Sequence, residues 1–172
     1  MKKHAATRLH YDLRLEWTQI LLSWALRDGP SCRAGVIRKA IEMEDHPKAN
    51  ILFEGEHETG TIMLWDQGTW KPFPEFEDIE KSLRKGILQF SLYGEKLKGD
   101  WTLTKTKATI YARPVWTLCK HADAFAESYA SKSVLDELPN SISTGRTIEE
   151  IKRDWKRPKD KHELQIRLFD NA

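Results

Sequence analysis

The sequence predicts a mainly β protein, an antiparallel barrel or closed sandwich with few helices. Short segments that alternate apolar and polar residues recur along the chain, separated by Gly, Pro, Asp and Asn. Segments with helical spacing are few and short, and that balance favours a closed all-β layer architecture. Apolar residues make up 40% of the 172, seven tryptophans among them, which is enough for a real core. The formal net charge of +2 is nearly balanced, so a nucleic-acid surface would have to come from local clustering of charge. Cys32 and Cys119 lie far apart without metal-like spacing and read as reduced thiols of a cytosolic protein, no signal peptide being visible. No apolar run approaches a membrane span, and no internal repeat is present.

The first strand candidate fills residues 3–17, KHAATRLHYDLRLEW. From His10 it has a period of two: His10, Asp12, Arg14 and Glu16 fall on one side, Tyr11, Leu13, Leu15 and Trp17 on the other. A second strand spans residues 19–27, and Arg27-Asp28-Gly29-Pro30-Ser31 reads as a turn. A third strand covers residues 36–45, with Arg38, Ala40, Glu42, Glu44 and His46 sharing one parity, and Pro47 ends it. Residues 61–66 form a further strand, residues 72–74 a turn, and residues 75–85 a short amphipathic helix stopped by Gly86. Residues 87–93, 99–106 and 114–120 alternate like three more strands. After residue 122 the pattern changes to a weakly helical stretch at 124–134 and a polar linker at 139–145. Thr147-Ile148-Glu149-Glu150 has the form of a capping box opening a helix to about Trp155, and residues 152–161 are charge-dense. The division expected is a β domain at 1–125 and a helical or linker tail at 126–172.

The polar side of the first strand carries an imidazole, a carboxylate and a guanidinium in succession, where a solvated face usually carries Thr, Ser, Lys or Gln. His4 and Arg8 share that parity if the chain stays extended. Two imidazoles and a carboxylate can hold a divalent transition metal, with the arginine holding an anion beside it. The same spacing also fits a surface strand with structural histidines and an Asp12–Arg14 ion pair worth little.

His4-Ala5-Ala6-Thr7-Arg8-Leu9-His10-Tyr11-Asp12-Leu13-Arg14-Leu15-Glu16 resembles the signature of the 3′-phosphoesterase domain of bacterial DNA ligase D, the non-homologous end-joining ligase. The resemblance continues through Ser23-Trp24-Ala25-Leu26, Gly29-Pro30-Ser31, Glu44-Asp45-His46-Pro47, Phe53-Glu54-Gly55 and Trp65-Asp66-Gln67-Gly68-Thr69-Trp70. It closes with Gly94–Gly99 and the Trp116, Leu118, Lys120, His121 strand, so the ordered blocks cover residues 2–125. It implies an antiparallel β-barrel with a few short flanking helices and a site in its open end. It also implies removal of a 3′-ribonucleoside or 3′-phosphate from DNA ends, dependent on Mn2+ or a similar ion such as Co2+. The metal ligands carried over are His4, His10 and Asp12. Arg14 and Arg38 would bind and neutralise the scissile phosphate, with Arg27 nearby, and His46 would protonate the departing 3′ oxygen or contact the phosphate. Without the family, His46 reads more readily as a strand-end histidine capping backbone groups. Partners implied are DNA 3′ ends, polymerase and ligase modules and a Ku-type end-binding protein, in the bacterial cytosol or nucleoid.

His57, His121 and His162 read as structural or solvated. Gly94–Lys98 with Lys105 and Lys107 reads as solvated surface, or alternatively as a track for a nucleic-acid backbone. The tryptophans read as core and rim packing, with Trp17 and Trp24 as alternative groove linings. Three departures from the family pattern bear on turnover. The segment that usually precedes the first motif is not present, Asp28 stands where a lysine is usual, and Asn50 replaces an aromatic hydroxyl ahead of a shortened loop at 56–60. They set a catalytically weak DNA-end-binding module beside the active phosphoesterase as the second reading. A cupin-like metal barrel acting on a small acid is a distant third.

Overall fold

The structure is a computed structural model describing residues 1–155. The end of the expected tail, including His162, lies outside the described residues. Eleven strands form one sheet: β1 (Lys2–Ala5), β2 (Leu9–Trp17), β3 (Ile20–Leu26), β4 (Ile37–Glu42), β5 (His46–Pro47), β6 (Gly55–His57), β7 (Gly60–Leu64), β8 (Gly68–Pro72), β9 (Ile87–Gly94), β10 (Lys98–Ile110) and β11 (Arg113–Lys120). Three short helices flank it, α1 (Ile79–Lys85), α2 (Val134–Glu137) and α3 (Ile148–Asp154). The strand order is β6-β7-β1-β2-β3-β4-β11-β10-β9-β8, with β5 added to β3, and these strands pair antiparallel throughout.

The mainly β expectation holds; closure into a barrel does not. The end strands β6 and β8 do not pair with each other. With three and five residues they offer little ladder to close. The sheet nonetheless folds back over its core, since the Trp70 indole of β8 donates to the Glu16 carbonyl of β2 at 2.8 Å. Trp24, Trp65, Trp101 and Trp116, each at most 2% exposed, fill the interior with Leu13, Leu15, Leu26, Leu88, Phe90 and Leu103. Trp24 therefore belongs to the core and lines no groove.

Local differences from the sequence reading have physical causes. The stretch at 3–17 is a hairpin rather than one extended strand, because the chain turns at residues 6–8 and Lys2–Ala5 pairs with Leu9–Asp12. Arg8 lies in that turn, exposed. β10 and β11 run on to a two-residue turn, Tyr111-Ala112, with both φ values positive (49° and 62°), the twist that suits a tight hairpin. Neither residue is the Asn or Gly that announces such a turn. The stretch at 124–134 is not helical; the only helix there begins at Val134, capped by the Ser133 hydroxyl. The capping box at Thr147 and Glu150 is present and opens α3, whose Ile148 and Ile151 are buried. Residues 141–146 are held to the sheet rather than loose. The Glu54 carboxylate, 6% exposed, accepts from the Leu64 amide (2.9 Å) and the Ser141 and Thr144 hydroxyls (2.6 Å each).

A candidate metal centre beside an unpaired arginine

The β1–β2 hairpin builds the site. Its register puts His4 directly opposite His10, and Asp12 follows one pleat further on. Side chains two apart on a strand share a face, as do directly opposed partners. Burial follows the pleat: Tyr11, Leu13 and Leu15 are buried, while His10, Asp12, Arg14 and Glu16 are intermediate. His10 Nε2 lies 3.5 Å from Asp12 Oδ1, His4 Nδ1 lies 4.0 Å from Asp12 Oδ2, and the two rings are 4.8 Å apart between centroids. One ligand atom from each residue lies within 4.8 Å of the others. Donors sharing one ion at about 2.1 Å stand about 3–4 Å apart, so small side-chain rotations suffice.

The donor set fits a divalent ion. His10 Nδ1 lies 3.0 Å from the Arg8 carbonyl. A proton there donates to that carbonyl and leaves Nε2 as a free lone pair aimed at the centre. Burial raises the Asp12 carboxyl, but hydrogen bonding and charge from His10, with Arg14 and His4, bring it below the ordinary value. His10 is raised by its bond to Asp12, while burial and the neighbouring His10 lower His4. Imidazole and carboxylate together suit Mn2+ and its neighbours in the first transition row.

Arg14, one pleat beyond Asp12, is the other half of the site. Its NH2 is 3.9 Å from Asp12 Oδ2, its side chain is 13% exposed, and its Nε is enclosed without a hydrogen-bond partner. A guanidinium in that state has donors to spare for an anion. His46 reaches the same face through the β5–β3 and β3–β2 ladders, which align His46, Leu21 and Glu16. Burial lowers its pKa, Arg14 lowers it further and Asp12 opposes, which puts it within the field of both. Its parity with Arg38 is broken by the irregular residues 43–45.

The register places Arg38 outside this cluster. Asp12 pairs with Ala25 and Ala25 with Ile41, which puts Arg38, of opposite parity, on the other face with Ala40 and its partner Leu118. Arg38 Nε is also enclosed and unpartnered. Arg27 is exposed, one residue past the Leu26–Tyr11 pair at the His10 end of the ladder. Asp28 and Asn50, two of the departures, are exposed too. His121 is structural, with Nε2 2.6 Å from the Thr102 hydroxyl.

Two neighbours of the centre were not singled out from the sequence. Lys2 faces Asp12 across the ladder and is 3% exposed, its ammonium donating to the Phe53 carbonyl. Burial and then Arg14 lower its pKa to about 7. Parity with His4 was the signal available for it. Thr59, in the β6–β7 turn, has its hydroxyl 3.2 Å from His4 Nε2. No signal within the first motif pointed to a residue 55 positions away.

An open antiparallel sheet that gathers two imidazoles, a carboxylate and an unsatisfied guanidinium on one hairpin defines a β protein with a candidate metal centre built for an anionic ligand. The sequence model of the DNA ligase D 3′-phosphoesterase domain matches residues 2–105. The chain is 40% identical over 153 residues to the multifunctional non-homologous end joining protein LigD of Pseudomonas aeruginosa, covering 86% of this chain and 18% of that protein. It is 32% identical over 111 residues to the multifunctional non-homologous end joining DNA repair protein LigD of Mycobacterium tuberculosis (62% of this chain, 14% of that protein). To the Mycolicibacterium smegmatis protein LigD it is 33% identical over 115 residues. The chain belongs to the DNA ligase D 3′-phosphoesterase domain family. It spans less than a fifth of the length of these relatives. Among the described residues no helix is long and apolar enough to cross a membrane.

Proposed function

We propose that this chain is a manganese-dependent phosphoesterase that heals DNA 3′ ends in non-homologous end joining, removing a 3′-ribonucleoside, a 3′-phosphate or both. The observation that carries it is the meeting of His4, His10 and Asp12 across one hairpin with Arg14, its Nε without a partner, beside them. The family and its end-joining relatives supply the substrate class. His4, His10 and Asp12 would hold the ion. When bound it would supply Lewis-acid polarisation of a phosphate oxygen and a water of lowered pKa. Arg14 binds the scissile phosphate and offsets charge that builds on it. His46 lies on the same face and is held neutral by burial and Arg14 more readily than a free imidazole. It contacts the phosphate, and a protonated fraction gives its proton to the departing oxygen, the strand's 3′ oxygen when a 3′-phosphate is removed and the 5′ oxygen of the ribonucleoside when that is released. Arg27, exposed at the His10 end of the ladder, contacts the substrate outside the metal cluster.

The test uses labelled duplexes ending in a 3′-ribonucleotide or a 3′-phosphate, incubated with and without Mn2+. Shortened or dephosphorylated strands should form with Mn2+ and vanish on chelation and in His10→Ala. Product formed equally by His10→Ala would remove the activity from this centre. The exposed Asp28 and Asn50 favour the second reading, a weak end-binding module: binding of these duplexes without product would establish it.

A further inference from the structure

The β6–β7 hairpin leans its turn on the metal face. Gly60, at φ 135°, makes this approach possible: a Cβ there would stand 2.1 Å from the Ala5 carbonyl oxygen. The strand it opens pairs with β1, Thr61 against Ala5 and Ile62 against His4. Thr59, the residue before it, then has its hydroxyl 3.2 Å from His4 Nε2 and 3.4 Å from His57 Nδ1. Behind the turn, Thr61 is bonded to Glu56, and Glu54 ties the base of the hairpin to Ser141 and Thr144. The turn is exposed, yet its backbone is anchored on both sides.

We propose that Thr59, steadied by His57, is a positioning residue of the metal centre, a role that rests on the metal-dependent reading above. His4 presents Nδ1 to Asp12 at 4.0 Å, so Nδ1 is the atom that serves a shared ion and must carry a lone pair. The ring proton then sits on Nε2 and donates to Thr59 Oγ1. The hydroxyl, having accepted, donates in turn to His57 Nδ1. One chain of donors and acceptors thus fixes both the tautomer and the rotation of His4. It is the counterpart of the Arg8 carbonyl, which does the same for His10 through the opposite ring nitrogen. The two histidines are clamped from different parts of the fold, one by the turn of its own hairpin and one by a turn 55 residues away.

The experiment measures Mn2+ affinity of the 172-residue chain by electron paramagnetic resonance of free Mn2+, without DNA. Thr59→Val removes the hydroxyl at nearly constant shape and should weaken Mn2+ binding about 10–100-fold, the usual effect of losing an outer-shell partner. Thr59→Ser restores the hydroxyl and should recover affinity to within about threefold of the parent, with His57→Ala falling between the two. The thermal midpoint of the metal-free Thr59→Val protein should match the parent, which separates positioning from loss of fold. Parental affinity in Thr59→Val overturns the inference while leaving the phosphoesterase reading intact. A parent protein that takes up no Mn2+ overturns both. A Thr59→Val protein that binds weakly, from a parent that binds tightly but releases no product, upholds the positioning role and removes only the catalytic reading.

Discussion

Two charged clusters in this molecule use the same residue types to opposite ends. At the far side of the sheet Lys120 is 1% exposed and spends its ammonium completely. Nζ donates to the Asp100 carbonyl at 3.2 Å, the His121 carbonyl at 3.3 Å and Asp123 Oδ2 at 2.5 Å. Asp123 accepts from the amides of Asp100 and Phe125 as well, at 2.7 and 2.8 Å. Gly99 makes room for the pair, since a Cβ there would stand 2.4 Å from Asp123 Oδ2. On the β1–β2 hairpin Asp12 and Arg14 are about as enclosed in their side chains, at 13% each, but their contacts run from 3.5 to 4.0 Å and Arg14 Nε has no partner. The first cluster is closed, and the second holds capacity in reserve. Buried charge that is fully partnered supports the fold, whereas buried charge left short of partners is supported by the fold for the sake of a ligand.

Breaking each cluster in turn sharpens the contrast. Lys120→Met should have the largest effect, about 3 kcal/mol lost in urea unfolding, because it leaves the Asp123 carboxylate without its ammonium partner and the His121 carbonyl without that donor. The figure sits at the low end of the range for a broken buried pair because the Asp123 side chain is 20% exposed. Metal-dependent activity per folded molecule should not change. A loss under about 1 kcal/mol would mean that the ammonium is not the keystone its bonds describe.

Arg14→Gln should do the reverse. It removes a guanidinium that burial already penalises and whose ion-pair contact with Asp12 is 3.9 Å long, so stability should move by no more than about 0.5 kcal/mol. Phosphoesterase turnover should fall about 100-fold, the scale for losing one charge-stabilising donor. A large stability loss with unchanged turnover would make Arg14 a structural residue and collapse the distinction between the clusters.

How much of this contrast was legible in the sequence depended on distance along the chain. The period-two run from His10 to Glu16 exposed the candidate metal face directly, because a strand writes its two faces into alternate letters. The place of His4 was legible only in part. It joins that face from the neighbouring strand after a turn of Ala6, Thr7 and Arg8 that contains no Gly or Pro to announce it. The same lack of turn residues hid the Tyr111-Ala112 hairpin. Arg38 and His46 share a parity in the letters, but the irregular residues between Glu42 and His46 undo it, and a one-residue change of register moves a side chain to the other face. Thr59 and Glu54 belong to contacts that only the folded sheet creates, so no local pattern could name them. Open closure was equally hidden, since pairing between first and last strands leaves no local trace.

The smallest predicted effect is in acid, and it again separates the clusters. Burial raises the Asp123 carboxyl, but the bond from Lys120 and the amides of Asp100 and Phe125 together hold it below its ordinary value of 3.8. A carboxyl depressed in the folded state adds stability that is fully present above its unfolded value and is lost as the pH falls through the folded one. The parent should therefore lose stability progressively once the pH drops into and below the ordinary carboxylate range. Asp123→Asn should begin less stable at neutral pH and show a shallower fall between pH values of about 5 and 2. Thermal midpoints followed across that window measure the difference in slope. Equal slopes in the two proteins would mean that Asp123 is as acidic unfolded as folded, and its bonds to Lys120 would then add nothing that depends on charge.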